Sequence, residues 1–163
     1  MSQQAIANFV IDSLDFVRNS RVIREKIIVA ELSRLTDVLY ASDDILDYQL
    51  SGAKGSKGEP ALCLSVRGAL RLKCQRCLGA LDFPLHIDSL LVLVEGESDM
   101  ETSDITDDSM DVIVASKTMR VAALIEDEIL LALPISPRHE ICDTGYQQGN
   151  VVKLNSFANL RRQ

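Results

Sequence analysis

Four cysteines and two histidines carry the soft-ligand chemistry of this 163-residue chain, and two of the cysteines stand as Cys74-Gln75-Arg76-Cys77. At a turn, this spacing lets two thiolates reach one tetrahedral ion. Zinc needs two more soft or borderline ligands, and His139-Glu140-Ile141-Cys142 offers them at the same spacing. Cys74, Cys77, His139 and Cys142 therefore form a stoichiometrically complete zinc set, and zinc is the only cofactor the residues suggest. The competing reading is a reduced thiol pair packed at a turn, with an unrelated histidine on a loop. Redox chemistry fits less well. It wants Cys-x-x-Cys at a helix start, where the helix N-terminus lowers the thiol pKa, and here the motif lies between strand-like segments.

Two other groups could do chemistry. Glu126-Asp127-Glu128 interrupts an otherwise apolar helical segment. At 100° per residue Val121, Leu124, Ile125, Ile129 and Ala132 share a face, and Glu128 falls inside that stripe. A buried carboxylate must find a base or several donors, so Glu128 is expected to pair with Arg71 or Arg76, unless the acids simply face solvent. Without a nucleophile motif or a phosphate loop beside them, acid–base catalysis has little support. Arg67, Arg71, Lys73 and Arg76 make a basic stripe that could meet RNA phosphates or another partner. No aromatics are interleaved to stack on bases, so the stripe would read shape or backbone. It is equally consistent with a solvated sheet face.

These groups need elements to hold them. Ala61–Lys73 alternates strictly: Leu62, Leu64, Val66, Gly68, Leu70 and Leu72 lie on one face and the basic residues on the other, which predicts a half-buried antiparallel strand. Leu81–Val94 reads as its partner, with Pro84 near a strand start or on an edge, so the Cys-x-x-Cys loop becomes a hairpin tip. Asp44–Lys54 supplies a third strand of the meander. Short strands are expected at Ile6–Ile11 and Arg24–Val29, a helical turn at Ser13–Arg18 and a helix at Glu31–Tyr40. Val112–Val114 suggests an edge strand. The longest helix is predicted from about Lys117 to Leu133, ending at Pro134. The fold class is α+β: an antiparallel β-meander carrying the Cys-x-x-Cys hairpin, with one long C-terminal helix and shorter N-terminal helices packed on it.

The net charge of −7 is local in origin. Acids and bases balance at eleven each from Met1 to Val94, whereas residues 95–111 hold eight acids and no base. That stretch reads as an acidic loop within a single domain spanning 1–150, followed by a loose basic tail at 151–163. The opening residues lack the pattern of a signal peptide, and the longest apolar runs, Leu90–Val94 and Ile129–Leu133, fall far short of the ~18–20 residues a membrane span needs. A cytoplasmic chain with no membrane partner and no small-molecule substrate is the consistent expectation.

Cys74-Gln75-Arg76-Cys77-Leu78, the run from Val121 to Ile135 with its Glu-Asp-Glu and Leu133-Pro134, and Pro137-Arg138-His139 together resemble the YceD family, the large ribosomal RNA subunit accumulation proteins of bacteria and plastids. The order of elements is similar as well, and Asn155-Ser156-Phe157-Ala158 resembles the family's Asn-Pro-Phe-Ala ending with Ser156 in place of proline. The resemblance implies a non-enzymatic role in synthesis, processing or stability of large-subunit (23S) ribosomal RNA. It points to pre-ribosomal large-subunit RNA or a large-subunit ribosomal protein as partner. A small zinc- or thiol-dependent enzyme and a chaperone-like binder of a basic ribosomal protein are the alternatives. Some relatives carry further cysteines after Leu-Pro, where this chain has only His139 and Cys142.

Overall fold

The computed structural model describes residues 9–102 and 110–142. Its elements are β1 (Val10–Ile11), α1 (Ser13–Arg18), β2 (Val22–Ile28), 3₁₀ turns at Val29–Glu31 and Ser33–Leu35, β3 (Ile45–Lys54), β4 (Pro60–Lys73), β5 (Ala80–Val94), α2 (Glu97–Thr102), β6 (Met110–Val114), β7 (Met119–Arg120) and α3 (Val121–Ala132). The architecture is α+β. A five-stranded sheet runs β2-β3-β4-β5-β6, antiparallel except for the parallel β5–β6 pair, and β1 pairs with β7 in a separate two-stranded sheet.

The alternation in β4 does what a period of two demands. Leu62, Leu64, Val66, Leu70 and Leu72 are fully buried on the inner face, while Arg67, Arg71 and Lys73 lie on the other. Opposite them on β5, the inner face carries Leu85, Ile87, Ser89 and Leu91. Two glycines permit close approaches. A Cβ on Gly52 would lie 2.8 Å from the Val17 Cα, so α1 rests directly on β3 there. At Gly68, φ is +151° and a Cβ would strike the Leu46 side chain at 2.6 Å, so β4 bends where β3 leaves it.

β4 and β5 outrun the rest of the sheet. The β3–β4 ladder begins at Asp47↔Arg67, yet β4 continues paired with β5 to Lys73↔Ala80. The orphan edge of β4 has backbone groups to satisfy. The Lys73 N–H donates to the Val38 carbonyl at 2.9 Å, and the Tyr40 N–H to the Arg71 carbonyl at 2.8 Å.

This pairing corrects the helix expected at Glu31–Tyr40. Leu32, Leu35 and Leu39 are buried, but Leu39 is drawn into a bridge with Leu72. Only two 3₁₀ turns remain, because tertiary hydrogen bonding outweighs the weak local preference. The acidic stretch also differs from a plain loop: Glu97–Thr102 is helical and Met110–Asp111 belongs to β6. The tail at 151–163 lies outside the described residues. No helix among the described residues is long and apolar enough to cross a membrane.

α3 is twelve residues long and shorter than expected at its N-terminus, since Met119–Arg120 pairs with β1 as a strand. No side chain caps it; instead the Val121 N–H donates to the Phe9 carbonyl at 3.0 Å. Ser13 closes the same junction. Its hydroxyl accepts from the Ser116 N–H at 3.0 Å and its N–H donates to the Ser116 carbonyl at 2.9 Å. The helix ends as Leu133 turns extended before Pro134, as the steric demand of proline on its predecessor requires. α3 packs on the inner face of the sheet, and the chain then folds back to the hairpin tip.

Candidate metal centre

The β4–β5 hairpin closes through Cys74–Gly79. The Leu78 N–H donates to the Cys74 carbonyl and the Cys74 N–H to the Gly79 carbonyl, both at 2.9 Å. This tight loop forces Leu78 to a positive φ of 61°, a conformation costly for a residue with a Cβ. The segment after α3 docks on it, with the Gln75 N–H donating to the Pro137 carbonyl at 2.9 Å.

That contact brings both predicted pairs together. One ligand atom from each of Cys74, Cys77, His139 and Cys142 lies within 4.8 Å of the others. The Cys74 and Cys142 sulfurs are 3.7 Å apart, and His139 Nδ1 stands 3.4 Å from Cys77 Sγ and 3.9 Å from Cys142 Sγ. Tetrahedral bonds of about 2.3 Å to sulfur and about 2.0 Å to nitrogen give edges of roughly 3.8 Å between sulfurs and roughly 3.5 Å between sulfur and nitrogen. These three separations are therefore close to metal-ligand dimensions. His139 Nε2 lies 2.8 Å from the Ala80 carbonyl. Donating its N–H there leaves the Nδ1 lone pair turned toward the sulfurs, the orientation a ligating imidazole needs.

The electrostatics suit cation binding. Cys74 is buried, yet its thiol is held down to about 5, first by the Cys77 backbone N–H and then by those of His139 and Arg76. For Cys77 the Gly79 N–H pulls the thiol down, but burial and the sulfurs of Cys74 and Cys142 leave it raised. Cys142 is lowered by the Arg76 guanidinium above all. His139 is raised by Cys142 and by the Ala80 carbonyl. Three thiols and one imidazole with these partners can hold a metal ion, with four protein ligands and so no open coordination position.

The remaining predicted residues go elsewhere. Glu128, 8% exposed, is inside as expected, but its partner is the Ser89 hydroxyl, which donates to Oε2. The expected ion pair with Arg71 or Arg76 is absent. Arg71 is held by Asp44 at 2.9 Å and by Asp43, and Arg76 turns to the cysteine cluster, its Nε 3.0 Å from Cys142 Sγ. Both lie beyond Glu128 because α3 packs over the inner face, whereas Arg71 points out of the other. Arg67 Nη2 donates to both carboxylate oxygens of Asp88, at 2.7 and 2.8 Å. The basic stripe is thus occupied by carboxylates at Arg67 and Arg71, while Lys73 has no ion pair among the described residues.

Sequence reasoning missed two connections. Glu126, 5% exposed, accepts the Arg34 N–H at 3.0 Å, and Asp127 pairs with the Arg34 guanidinium. An acidic triplet facing a 3₁₀ turn was the available signal, obscured by the helix assigned there. Ser89, the sole hydroxyl in Ser89–Val94, was the other: a polar residue on the inner face asks for a polar partner.

Residues 62–156, more than half of the chain, match the family described as Large ribosomal RNA subunit accumulation protein YceD. No curated protein and no solved structure matches the chain.

Proposed function

The chain belongs to the YceD family, and from that premise we propose that it is a non-enzymatic factor in the synthesis, processing or stability of large-subunit ribosomal RNA, built around a structural zinc ion held by Cys74, Cys77, His139 and Cys142. The observation that carries the non-enzymatic reading is the closed ligand set. Catalytic zinc keeps one position for water or substrate, whereas four protein ligands leave none. Zinc at this site would tie the 137–142 segment to the hairpin and supply rigidity rather than a reactive water. The same point weighs against a small zinc enzyme, and the convergence of all three thiols on one centre weighs against a thiol enzyme.

The partner in this reading is a large-subunit precursor, met through its RNA or through a ribosomal protein, in the cytoplasm. Phosphates approaching β4 would have to displace Asp88 from Arg67 and Asp43 and Asp44 from Arg71. That competition, together with the net charge of −7, favours a basic protein surface as the first contact. The test is depletion of the chain in cells, followed by gradient sedimentation. Large-subunit RNA is expected to fall relative to small-subunit RNA, and the tagged chain to sediment with precursor particles rather than mature ribosomes. Crosslinking in those fractions, with RNA and protein adducts read together, identifies the partner. An unchanged subunit ratio would sink the proposal.

A further inference from the structure

Three of the four candidate ligands are sulfurs, and they are not equally supported. Cys74 receives backbone N–H groups from Cys77, His139 and Arg76, and Cys77 receives that of Gly79. All of these donors but the His139 N–H come from the turn itself, where a tight loop points successive amides at a sulfur. Cys142 lies outside that turn. Its donor is a side chain: Arg76 Nε, 3.0 Å from its sulfur. The same guanidinium reaches past the thiol, with Nη2 3.3 Å from the His139 carbonyl and 3.4 Å from the Glu140 carbonyl. One planar group thus meets the sulfur of one ligand and the backbone of the other, both on the segment that has to be brought in from after α3.

We infer that Arg76 is a positioning residue of this centre: its guanidinium clamps residues 139–142 onto the hairpin and supplies to the Cys142 sulfur the hydrogen bond that backbone amides supply to Cys74 and Cys77. The fixed fork of a guanidinium suits this task and a lysine ammonium does not, because three acceptors on one segment must be met by donors held in a plane. Its charge acts too. Three thiolates, a neutral imidazole and a divalent cation sum to −1, and Arg76 brings the centre to neutrality without occupying a coordination position. An arginine between two cysteine ligands, easily taken for an exposed charge at a loop tip, is on this account part of the metal-binding apparatus.

The inference rests in part on the zinc reading, so its test has arms with and without metal. In the full chain, Arg76→Met is compared with Arg76→Lys and the wild type. Competition against a chromogenic chelator should show zinc affinity lowered about 10- to 100-fold in Arg76→Met, the usual loss when an outer partner of a ligand is removed. Arg76→Lys should recover only part of it. With cobalt in place of zinc, the thiolate-to-metal charge-transfer band should move to lower energy in Arg76→Met, since a sulfur without its hydrogen bond is a stronger electron donor. A merely structural arginine would leave that band in place. The zinc-loaded variant should also alkylate faster at Cys142 than at Cys74. In metal-free protein, amide exchange should quicken in residues 139–142 and stay unchanged along β4 and β5. A wild type that takes up neither metal would overturn the zinc reading alone, leaving the clamp to be judged by exchange. Exchange in 139–142 indifferent to Arg76→Met in the metal-free protein, or unchanged affinity and cobalt spectrum where metal binds, would overturn the clamp.

Discussion

At the hairpin tip four side chains from two distant segments point at one centre; along α3 three consecutive acids point at three separate groups, two on Arg34 and one on Ser89. Both groups are polar and partly enclosed, and both join elements far apart in the chain. The difference is what each arrangement leaves undone. Glu126 is met by the Arg34 N–H, Asp127 by the Arg34 side chain and Glu128 by the Ser89 hydroxyl, so each acid is matched locally and the set is complete. Cys74, Cys77, His139 and Cys142 lie within 4.8 Å of one another, and three sulfurs with a lone pair from imidazole have no better common partner than a cation. Divergent polar groups in an interior serve architecture, whereas the convergent set has the arrangement that could hold a metal ion.

The comparison is broken most directly at the tip. Chelation should destabilise the wild type by about 4 kcal/mol relative to protein in zinc at a thousandfold its Kd. Cys74→Ser should lack stoichiometric zinc and show an unfolding curve indifferent to chelator. If urea unfolding of the wild type is likewise indifferent, the convergence has some purpose other than metal binding.

The next effect lies on α3. Ser89→Ala removes the donor of a buried carboxylate and should cost about 1.5–3 kcal/mol at neutral pH, read from the denaturant midpoint. Glu128 itself has its pKa raised, by burial first, then against Ser89 and with help from the charges of Asp111 and Asp127. A raised carboxyl in the folded state favours folding below the ordinary carboxylate range, and that contribution is lost as pH rises through the raised value. Glu128→Gln, a mimic of the protonated form, should therefore match the wild type near pH 4 and become the more stable protein as pH approaches 7. An ion-paired carboxylate would show the opposite trend, and a wild type gaining on the variant with rising pH would restore a cationic partner.

Smaller effects sharpen the contrast. Leu78 is strained in its positive-φ conformation and 64% exposed, so Leu78→Gly should stabilise the protein by about 1 kcal/mol, measured by thermal unfolding in saturating zinc. At the exposed member of the acidic set, Asp127→Ala should cost at most about 1 kcal/mol and the loss should shrink in high salt, because the pair with Arg34 is half in water, at 52% and 54% exposure.

Much of this was legible in the sequence, for a physical reason. Period-two alternation determines which face of a strand is buried, so Leu62 through Leu72 assigned both the strand and its inner face. Proline stopped α3 where it should. The four candidate ligands could be named because metal chemistry restricts residue type so severely that two matched pairs stand out. Partners across the fold were a different matter. That Glu128 lay inside followed from its helical angle, but that Ser89 lay opposite depended on sheet register and on where α3 settled. Leu32, Leu35 and Leu39 have a spacing that serves a helix or a series of 3₁₀ turns equally well, and only the unpaired edge of β4 decides between them. The strand expected at Ile6–Ile11 is present at Val10–Ile11, but its partner β7, two residues long, is too short for any periodicity to register and reads in the sequence as the start of the helix.

That last pairing bears on the order in which the molecule can be made. Ser13 and Ser116 are joined across 103 positions, and the Phe9 carbonyl supplies the first acceptor for α3 at Val121. A ribosome extends the chain from its N-terminus, so β1 has emerged long before β7 exists to receive it. The meander β2–β3–β4–β5 can zip from neighbour to neighbour as it appears, each closure spanning few residues. The β1–β7 closure cannot begin until some 110 residues later, and the entropy of so long a loop slows such contacts. α3 gains its N-terminal cap only then, and with α3 comes the segment bearing His139 and Cys142. The hairpin bearing Cys74 and Cys77 must wait for that segment too, so the candidate centre cannot close before the last of its four side chains has been made.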